Sequence, residues 1–336
     1  MDLLNAIVAL LNFVIVPATA YGAQLALGAL GVTLIYGILR FSNFAHGDTM
    51  AFGTTITILF TWWFQSLGVS LGPLPTALLA LPFGIAGAAL LMLGTDRVVY
   101  RFYRAQKAVP VILVIVSMGV MFVYNGLVRF IIGVDEQRFD DGDRFIISAR
   151  DFKEMTGLDE GLALKSTQAI TLVVAAIAVA LLFWFLNKTR TGKSMRAFSD
   201  NEDLALLSGI NPERVVVVTW LIVAALATVA GTLYGLDKGF KPFVYFQLLL
   251  PIFAAAIVGG LGSPLGAIAG GFVIAYSEVM ITYAWKKVAG YLLPESLEPD
   301  GLAQLLSTDY KFAVSFAILV VVLLFKPTGL FKGQSV

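Results

Sequence analysis

Apolar residues run in long blocks along the chain, separated by shorter polar segments. Crossing a bilayer takes about 20 apolar residues in one helix. The blocks that reach or approach this are 21–39, 49–67, 76–93, 109–131, 169–186, 215–236, 243–258, 265–285 and 312–325. The blocks at 243–258 and 312–325 are short, which points to tilted or partly re-entrant segments. Residues 3–16 are apolar but brief, and Pro17 sets them apart from the first full helix, which predicts an interfacial or hairpin segment. The expectation is an all-α, polytopic integral membrane protein. About eight transmembrane helices, in eight or nine crossings, form one transmembrane domain over residues 1–336.

The polar segment 188–214, KTRTGKSMRAFSDNEDLALLSGINPER, stands between two runs that carry no charge, 169–186 and 215–236. Its pattern predicts a short helix with both ends marked. Ser199 and Glu202 have capping-box spacing, and Glu202 and Asp203 place carboxylates in the first turn, where they complement the helix dipole. Gly209 stands where a left-handed C-terminal residue is wanted, and Pro212 blocks continuation. Leu204 and Leu207 form an apolar stripe on a helix below the ~12 residues that an isolated helix needs. The pattern fits a plug for a partner's socket, and equally a loop helix lying on its own protein.

Of 336 residues, 58% are hydrophobic and 13% are charged, against about 25% charged in soluble domains. This composition places the chain in the membrane, with lipid as its solvent. A net charge of +1 leaves no basic footprint for nucleic acid. Cysteine is absent and His46 is the sole histidine, which removes thiol chemistry, disulfides and the usual zinc, haem and iron–sulfur sites. Ala18-Thr19-Ala20 looks like a signal cleavage site, but no Lys or Arg precedes it. A secretory leader has a basic start, so the expectation is that this segment is retained.

Lys and Arg set the orientation. With 188–214 inside, Arg40, the 97–107 cluster, Lys326 and Lys332 fall on the same face, while five basic residues of the opposite face lie in the long loop 133–168, which carries little weight in this rule. The short loops therefore favour a cytoplasmic C-terminus. Segment 133–167 is rich in Asp and Glu and reads as a solvated extracytoplasmic loop. Segment 286–309, with Glu295, Glu298 and Asp300, reads as a second one.

Thr191-Gly192-Lys193-Ser194 resembles the end of a P-loop, but the first glycine of that motif would fall on Asn187 and no strand precedes it. This excludes ATP hydrolysis by the chain itself. Gly260, Gly262 and Gly266 have the wrong spacing for a dinucleotide fingerprint. His46 and Asp48, two residues apart, do not share a helical face, and no catalytic constellation emerges. Gly259, Gly260, Gly262, Gly266 and Gly270 read as helix-packing positions, since small residues let backbones approach in lipid. Isolated polar residues remain: Gln24, Asn43, His46, Ser117, Asn125 and Glu278 are candidates to line a path through the bundle. Interhelical hydrogen bonding is the alternative for Gln24, Asn43, Ser117 and Asn125, and snorkelling or contact with water for Glu278, the one carboxylate of the eighth span.

Four blocks in order resemble the inner-membrane permease subunits of high-affinity branched-chain amino-acid ABC importers, the LivH-like type. They are 21–53 with Asn43-Phe44-Ala45-His46-Gly47; Thr191, Gly192, Arg196-Ala197, Ala205 and Gly209-Ile210-Asn211; Gly259-Gly260-Leu261-Gly262-Ser263 into Gly266-Ala267; and Tyr310-Lys311 with the tail Phe325-Lys326-Pro327-Thr328-Gly329-Leu330. The resemblance covers nearly the whole chain. It implies a second homologous permease subunit, two cytoplasmic ATPase subunits that bind the ATP, and an extracytoplasmic substrate-binding protein. It also implies that 188–214 is the coupling segment, with Gly192, Arg196, Ala197, Ser199, Glu202, Leu204, Ala205, Leu207, Gly209 and Ile210 meeting the ATPase. The chain itself would carry no cofactor and no catalytic activity. Two departures bear on substrate: Thr54-Thr55-Ile56-Thr57 is more polar than the family pattern, and 133–167 matches nothing in it. Permeases for urea and short amides look similar. A gradient-driven secondary transporter would need paired intramembrane charges, of which Glu278 alone is in view.

Overall fold

The computed structural model describes residues 2–139, 141–292 and 301–331; Glu295, Glu298 and Asp300 lie outside the described residues. The long helices are α1 (Asp2–Leu39), α2 (His46–Ser66), α3 (Ala77–Ala105), α4 (Pro110–Ile132), α6 (Ser166–Lys188), α9 (Pro212–Lys238), α10 (Pro242–Gly259), α11 (Pro264–Thr282) and α13 (Lys311–Phe325). Short helices lie between them: α5 (Ala149–Thr156), α7 (Arg190–Asp200), α8 (Glu202–Leu207) and α12 (Lys286–Leu292). Among the described residues, eight stretches are long and apolar enough to cross a membrane. The chain is a multi-pass membrane protein.

Several helices begin the same way. Pro110, Pro212, Pro242 and Pro264 each open a helix, where a missing N–H costs nothing because it would have no partner. Asn211 and Ser263 cap two of these, accepting from the backbone N–H groups of Arg214 at 3.2 Å and Gly266 at 3.2 Å.

The N-terminal segment corrects the expectation of an interfacial or hairpin piece. Residues 2–39 form one helix of 38 residues. Leu11–Ile15 is a π-turn, and the Val16 N–H reaches the carbonyl of Leu11. This one-residue slip ahead of Pro17 absorbs the hydrogen bond that the proline cannot make.

Helix α2 is not among the eight apolar stretches, because threonines dilute it. Thr49, Thr54, Thr55, Thr57 and Thr61 each donate to the carbonyl four residues back, at 2.8–2.9 Å. Those hydroxyls need no other partner, so the helix sits buried in the middle of the bundle, against α3, α4, α9 and α10. Its first residues, His46 to Thr49, are themselves buried, so α2 starts inside the protein rather than at a membrane surface.

Helices α10 and α11 form a hairpin packed backbone to backbone. A Cβ on Gly259 would overlap the Gly266 carbonyl, and one on Gly270 would overlap that of Ala255. The turn between them requires positive φ at Gly260 (114°) and Gly262 (85°), a region where side chains are disfavoured.

Two faces result. One carries Arg40, α7, α8, the Gly260–Gly262 turn and the C-terminal residues, which return to pair Leu330 N–H with the Val258 carbonyl at 2.8 Å. The opposite face carries α5, α12, the first turns of α1 and a small antiparallel pair, β1 (Phe145–Ile147) with β2 (Leu164–Lys165). Here the start of α1 is held in a clasp. Asn5 donates to Asp159 at 3.3 Å and accepts from the Glu160 N–H at 3.3 Å. Lys287 and Tyr291 of α12 reach the Glu160 carboxylate at 2.8 and 2.7 Å, while Val288 packs on Ala6 and Ala9.

Candidate functional site

Segment 188–214 folds as two helices in series rather than one. Thr189 caps α7 by accepting from the Gly192 N–H at 3.0 Å, and Gly192 lies so close to α6 that a Cβ there would overlap the Phe185 carbonyl. Met195 and Phe198 bury 1% and 5% exposed, as anchors of α7. The capping box between Ser199 and Glu202 does not form. Ser199 lies inside α7, and α8 is capped by Asn201, whose side chain accepts from the Leu204 N–H at 3.0 Å. Asn201 is extended and immediately precedes Glu202, so it takes the cap position and leaves Glu202 and Asp203 in the first turn, where their charge still suits the dipole.

The end of α8 is a Schellman motif. The Ile210 N–H bonds to the Ala205 carbonyl at 3.1 Å and the Gly209 N–H to that of Leu206 at 3.0 Å, with Gly209 at φ 80°. Ala205 is the one buried residue of α8 and seats it. Leu204 and Leu207 face outward, 61% and 85% exposed; Arg196, Ala197, Glu202 and Gly209 are exposed with them, whereas Ser199 and Ile210 are half-buried. A cavity of about 600 Å³ lies behind this segment, lined by Thr33 and Gly37 of α1, Lys193, Arg196 and Ser199 of α7, and Gly262. Segment 188–214, the C-terminal end of α1 and the glycine turn thus meet at one place.

The path candidates divide into two groups. Asn43 and Ser117 hold the Phe41–Ala45 connection: the Asn43 Oδ1 accepts from the Ala45 N–H at 3.1 Å and the Tyr100 hydroxyl at 3.2 Å, and the Ser117 Oγ accepts from the Phe44 N–H at 3.1 Å. Gln24, His46, Asn125 and Glu278 keep polar atoms in the interior. Gln24 donates to the Leu233 carbonyl at 3.3 Å, while its Oε1 has no partner. The His46 ring is fully buried against Gly31, with neither nitrogen hydrogen-bonded to a protein group. Asn125 donates to Asp48 at 2.7 Å.

Asp48 corrects the expectation that Glu278 alone supplies charge within the spans. It is 1% exposed in the first turn of α2. Asp96, 5% exposed, is a third buried carboxylate, held by Arg104 and by the Trp220 indole N–H at 2.7 Å. Glu278 does not snorkel. It is 1% exposed and accepts from the Ser315 hydroxyl of α13. It also lines a cavity of about 260 Å³ toward the face that carries α12, with Tyr21, Tyr234, Lys238, Tyr283 and Lys311. The sequence pattern did not point to Lys311 or the tyrosines as neighbours of Glu278, because four separate helices bring them together.

Comparison with known proteins agrees with this architecture. The chain is 30% identical over 315 residues to the high-affinity branched-chain amino acid transport system permease protein LivH of Salmonella typhimurium, covering 92% of this chain and 91% of that protein. It is 27% identical to the permease protein BraD of Pseudomonas aeruginosa, covering 92% of each. A probable LivH permease of Methanocaldococcus jannaschii is 27% identical over 93% of this chain. The family model described as branched-chain amino acid transport system, permease component, matches residues 14–323, and the chain belongs to that family.

Proposed function

We propose that this chain is the membrane-spanning subunit of an ATP-driven importer that passes branched-chain or related neutral amino acids across the bacterial inner membrane. The face bearing α7 and α8 is cytoplasmic, as is the C-terminus beside it. Two ATPase subunits supply the energy, a second homologous permease completes the membrane part, and an extracytoplasmic binding protein delivers the substrate. The chain contributes motion and a path, without catalysis of its own.

The observation that carries this reading is the exposure of Leu204 and Leu207 on a short helix capped at both ends and seated by Ala205. Large apolar side chains held out from a fixed base mark a docking surface, and the family membership points to the ATPase as its occupant. Closure of the ATPases would push α8 and rock the spans behind it.

The test is uptake and ATP hydrolysis by the reconstituted complex. Leu204→Glu with Leu207→Glu, or Gly209→Pro, is expected to leave the chain in the membrane but to separate hydrolysis from uptake. Normal coupled transport in these variants would overturn the assignment.

A further inference from the structure

The outer cavity between α1, α9, α11 and α13 holds polar capacity that the fold does not use. Glu278 gives one carboxylate oxygen to Ser315, and its Oε2 has no hydrogen-bond partner. The neighbouring Tyr21 hydroxyl, on a side chain 7% exposed, faces this carboxylate without closing a hydrogen bond of normal geometry, and that of Tyr283 has no partner. Buried polar atoms are ordinarily satisfied, and an orphan facing a cavity points to a ligand or water that completes it. Two cations border the same space. Lys238 is already paired with Asp237 at 3.2 Å, whereas Lys311, over the Phe312 ring at 4.7 Å and within the field of Glu278, makes no salt bridge among the described residues and is the cation for a guest. The rest of the wall is hydrocarbon from Phe13, Pro17 and Val279.

This set of groups selects among ligands. A simple cation would meet Lys311, and a simple anion would meet Glu278. A molecule carrying both charges satisfies each. The volume of about 260 Å³ lies just below the ~300–1,000 Å³ typical of larger ligands, as suits a guest of amino-acid size. The Lys238 side chain, 46% exposed, marks the outer rim by which it would enter.

We propose that this cavity is a binding site for a free α-amino acid with a small hydrocarbon side chain. The ammonium group sits on Glu278, the carboxylate on Lys311, and the side chain against Phe13, Pro17 and Val279. The assignment rests on the importer reading above and places a substrate stop inside this chain.

The test uses the membrane complex of permease and ATPase subunits in lipid nanodiscs, without the binding protein and without ATP, and three probes: L-leucine, isocaproate (leucine without its ammonium) and isoamylamine (leucine without its carboxylate). The expected wild-type result is a preference for leucine of about tenfold or more over either analogue, since charge-assisted hydrogen bonds are the strong ones. Glu278→Gln should erase the preference over isocaproate and keep that over isoamylamine; Lys311→Met should do the converse, and Lys311→Arg should retain both. Each readout is a ratio within one variant, so a lower yield of folded complex leaves it intact. Preferences unchanged in Glu278→Gln and Lys311→Met would overturn the site, as would failure of the wild type to bind leucine. ATP-driven leucine uptake by the wild type separates the two readings. Uptake with unchanged preferences removes the site alone, whereas absence of amino-acid uptake removes both.

Discussion

The guanidinium of Arg40 donates to the main-chain carbonyl of Ser199 at 2.5 Å. This contact joins the residue that ends α1, in the left-handed conformation at φ 57°, to the last turn of α7. Because Arg40 contacts the backbone of Ser199, the identity of the side chain at 199 matters little to the link. Under the proposed function, a shift of α8 reaches the bundle first through this bond.

Arg40→Met should therefore weaken coupling more than Ser199→Ala. A hydrogen bond to a charged group contributes about 1.5–3 kcal/mol, so uptake per ATP hydrolysed should fall roughly tenfold or more in Arg40→Met and stay near wild type in Ser199→Ala. Paired measurements of uptake and hydrolysis in proteoliposomes check this; equal ratios in the two variants would count against a link through Arg40.

Asn201→Ala removes the side-chain cap of α8, at a cost of about 1 kcal/mol. Backbone hydrogen exchange over 202–207 should speed up about fivefold, while Glu202→Gln, at a position that closes no capping box, should change it little. A larger effect from Glu202→Gln would restore the box that the structure rejects.

Gly259→Ala introduces a Cβ into the Gly266 carbonyl. Overpacking of this kind costs about 1–3 kcal/mol, and neither backbone can yield without opening the α10–α11 hairpin. Gly119→Ala, with nothing within 4 Å of the added carbon, is the matched control. Thermal unfolding in detergent should show a lower midpoint for the first and little change for the second.

The clasp on the start of α1 should depend on pH. Burial alone would raise the pKa of Glu160, but the hydrogen bonds from Lys287 and Tyr291 outweigh it and hold the carboxyl below its usual value. A group depressed in the folded state contributes stability that is full above its unfolded pKa and is lost as pH falls through the folded one. Tyr291, pushed up to about 12 by its bond to Glu160, behaves oppositely: its contribution is full below the usual tyrosine value of about 10 and is lost as pH rises through about 12. Protection of the backbone amides of 2–10, measured relative to their intrinsic exchange at each pH, should be high between these limits and fall beyond either. Glu160→Gln should show low protection already at neutral pH and no acid step.

Much of the bundle was legible because apolar runs of about 20 residues have few alternatives to spanning lipid. Pro212, read as the stop after the short helix, also opens α9, and α8 ended at Gly209 as its pattern required. The failures have separate physical causes. Pro17 predicted a break, yet a π-turn upstream of a proline restores the hydrogen-bond ladder. Ser199 and Glu202 matched a capping box, but Asn201 between them is an equally good cap and closer to the helix. Asp48 was weighed only against His46, and its burial was not legible because its depth follows from where α2 begins, which is fixed by contacts of Asn43 and Ser117 with distant residues. The neighbours of Glu278 come from α1, α9 and α13, a convergence that no local spacing encodes.

Helix α1 reaches from the clasp to Arg40 without interruption, about 57 Å at 1.5 Å per residue over 38 residues. Such a strut does not shorten, so an axial displacement imposed at Arg40 arrives at Asn5 undiminished, whereas bending is concentrated at the widened turn of Leu11–Ile15. The two ends of the molecule are therefore in mechanical register, and loosening of the grip on Asn5 is the counterpart of any thrust delivered from the opposite side.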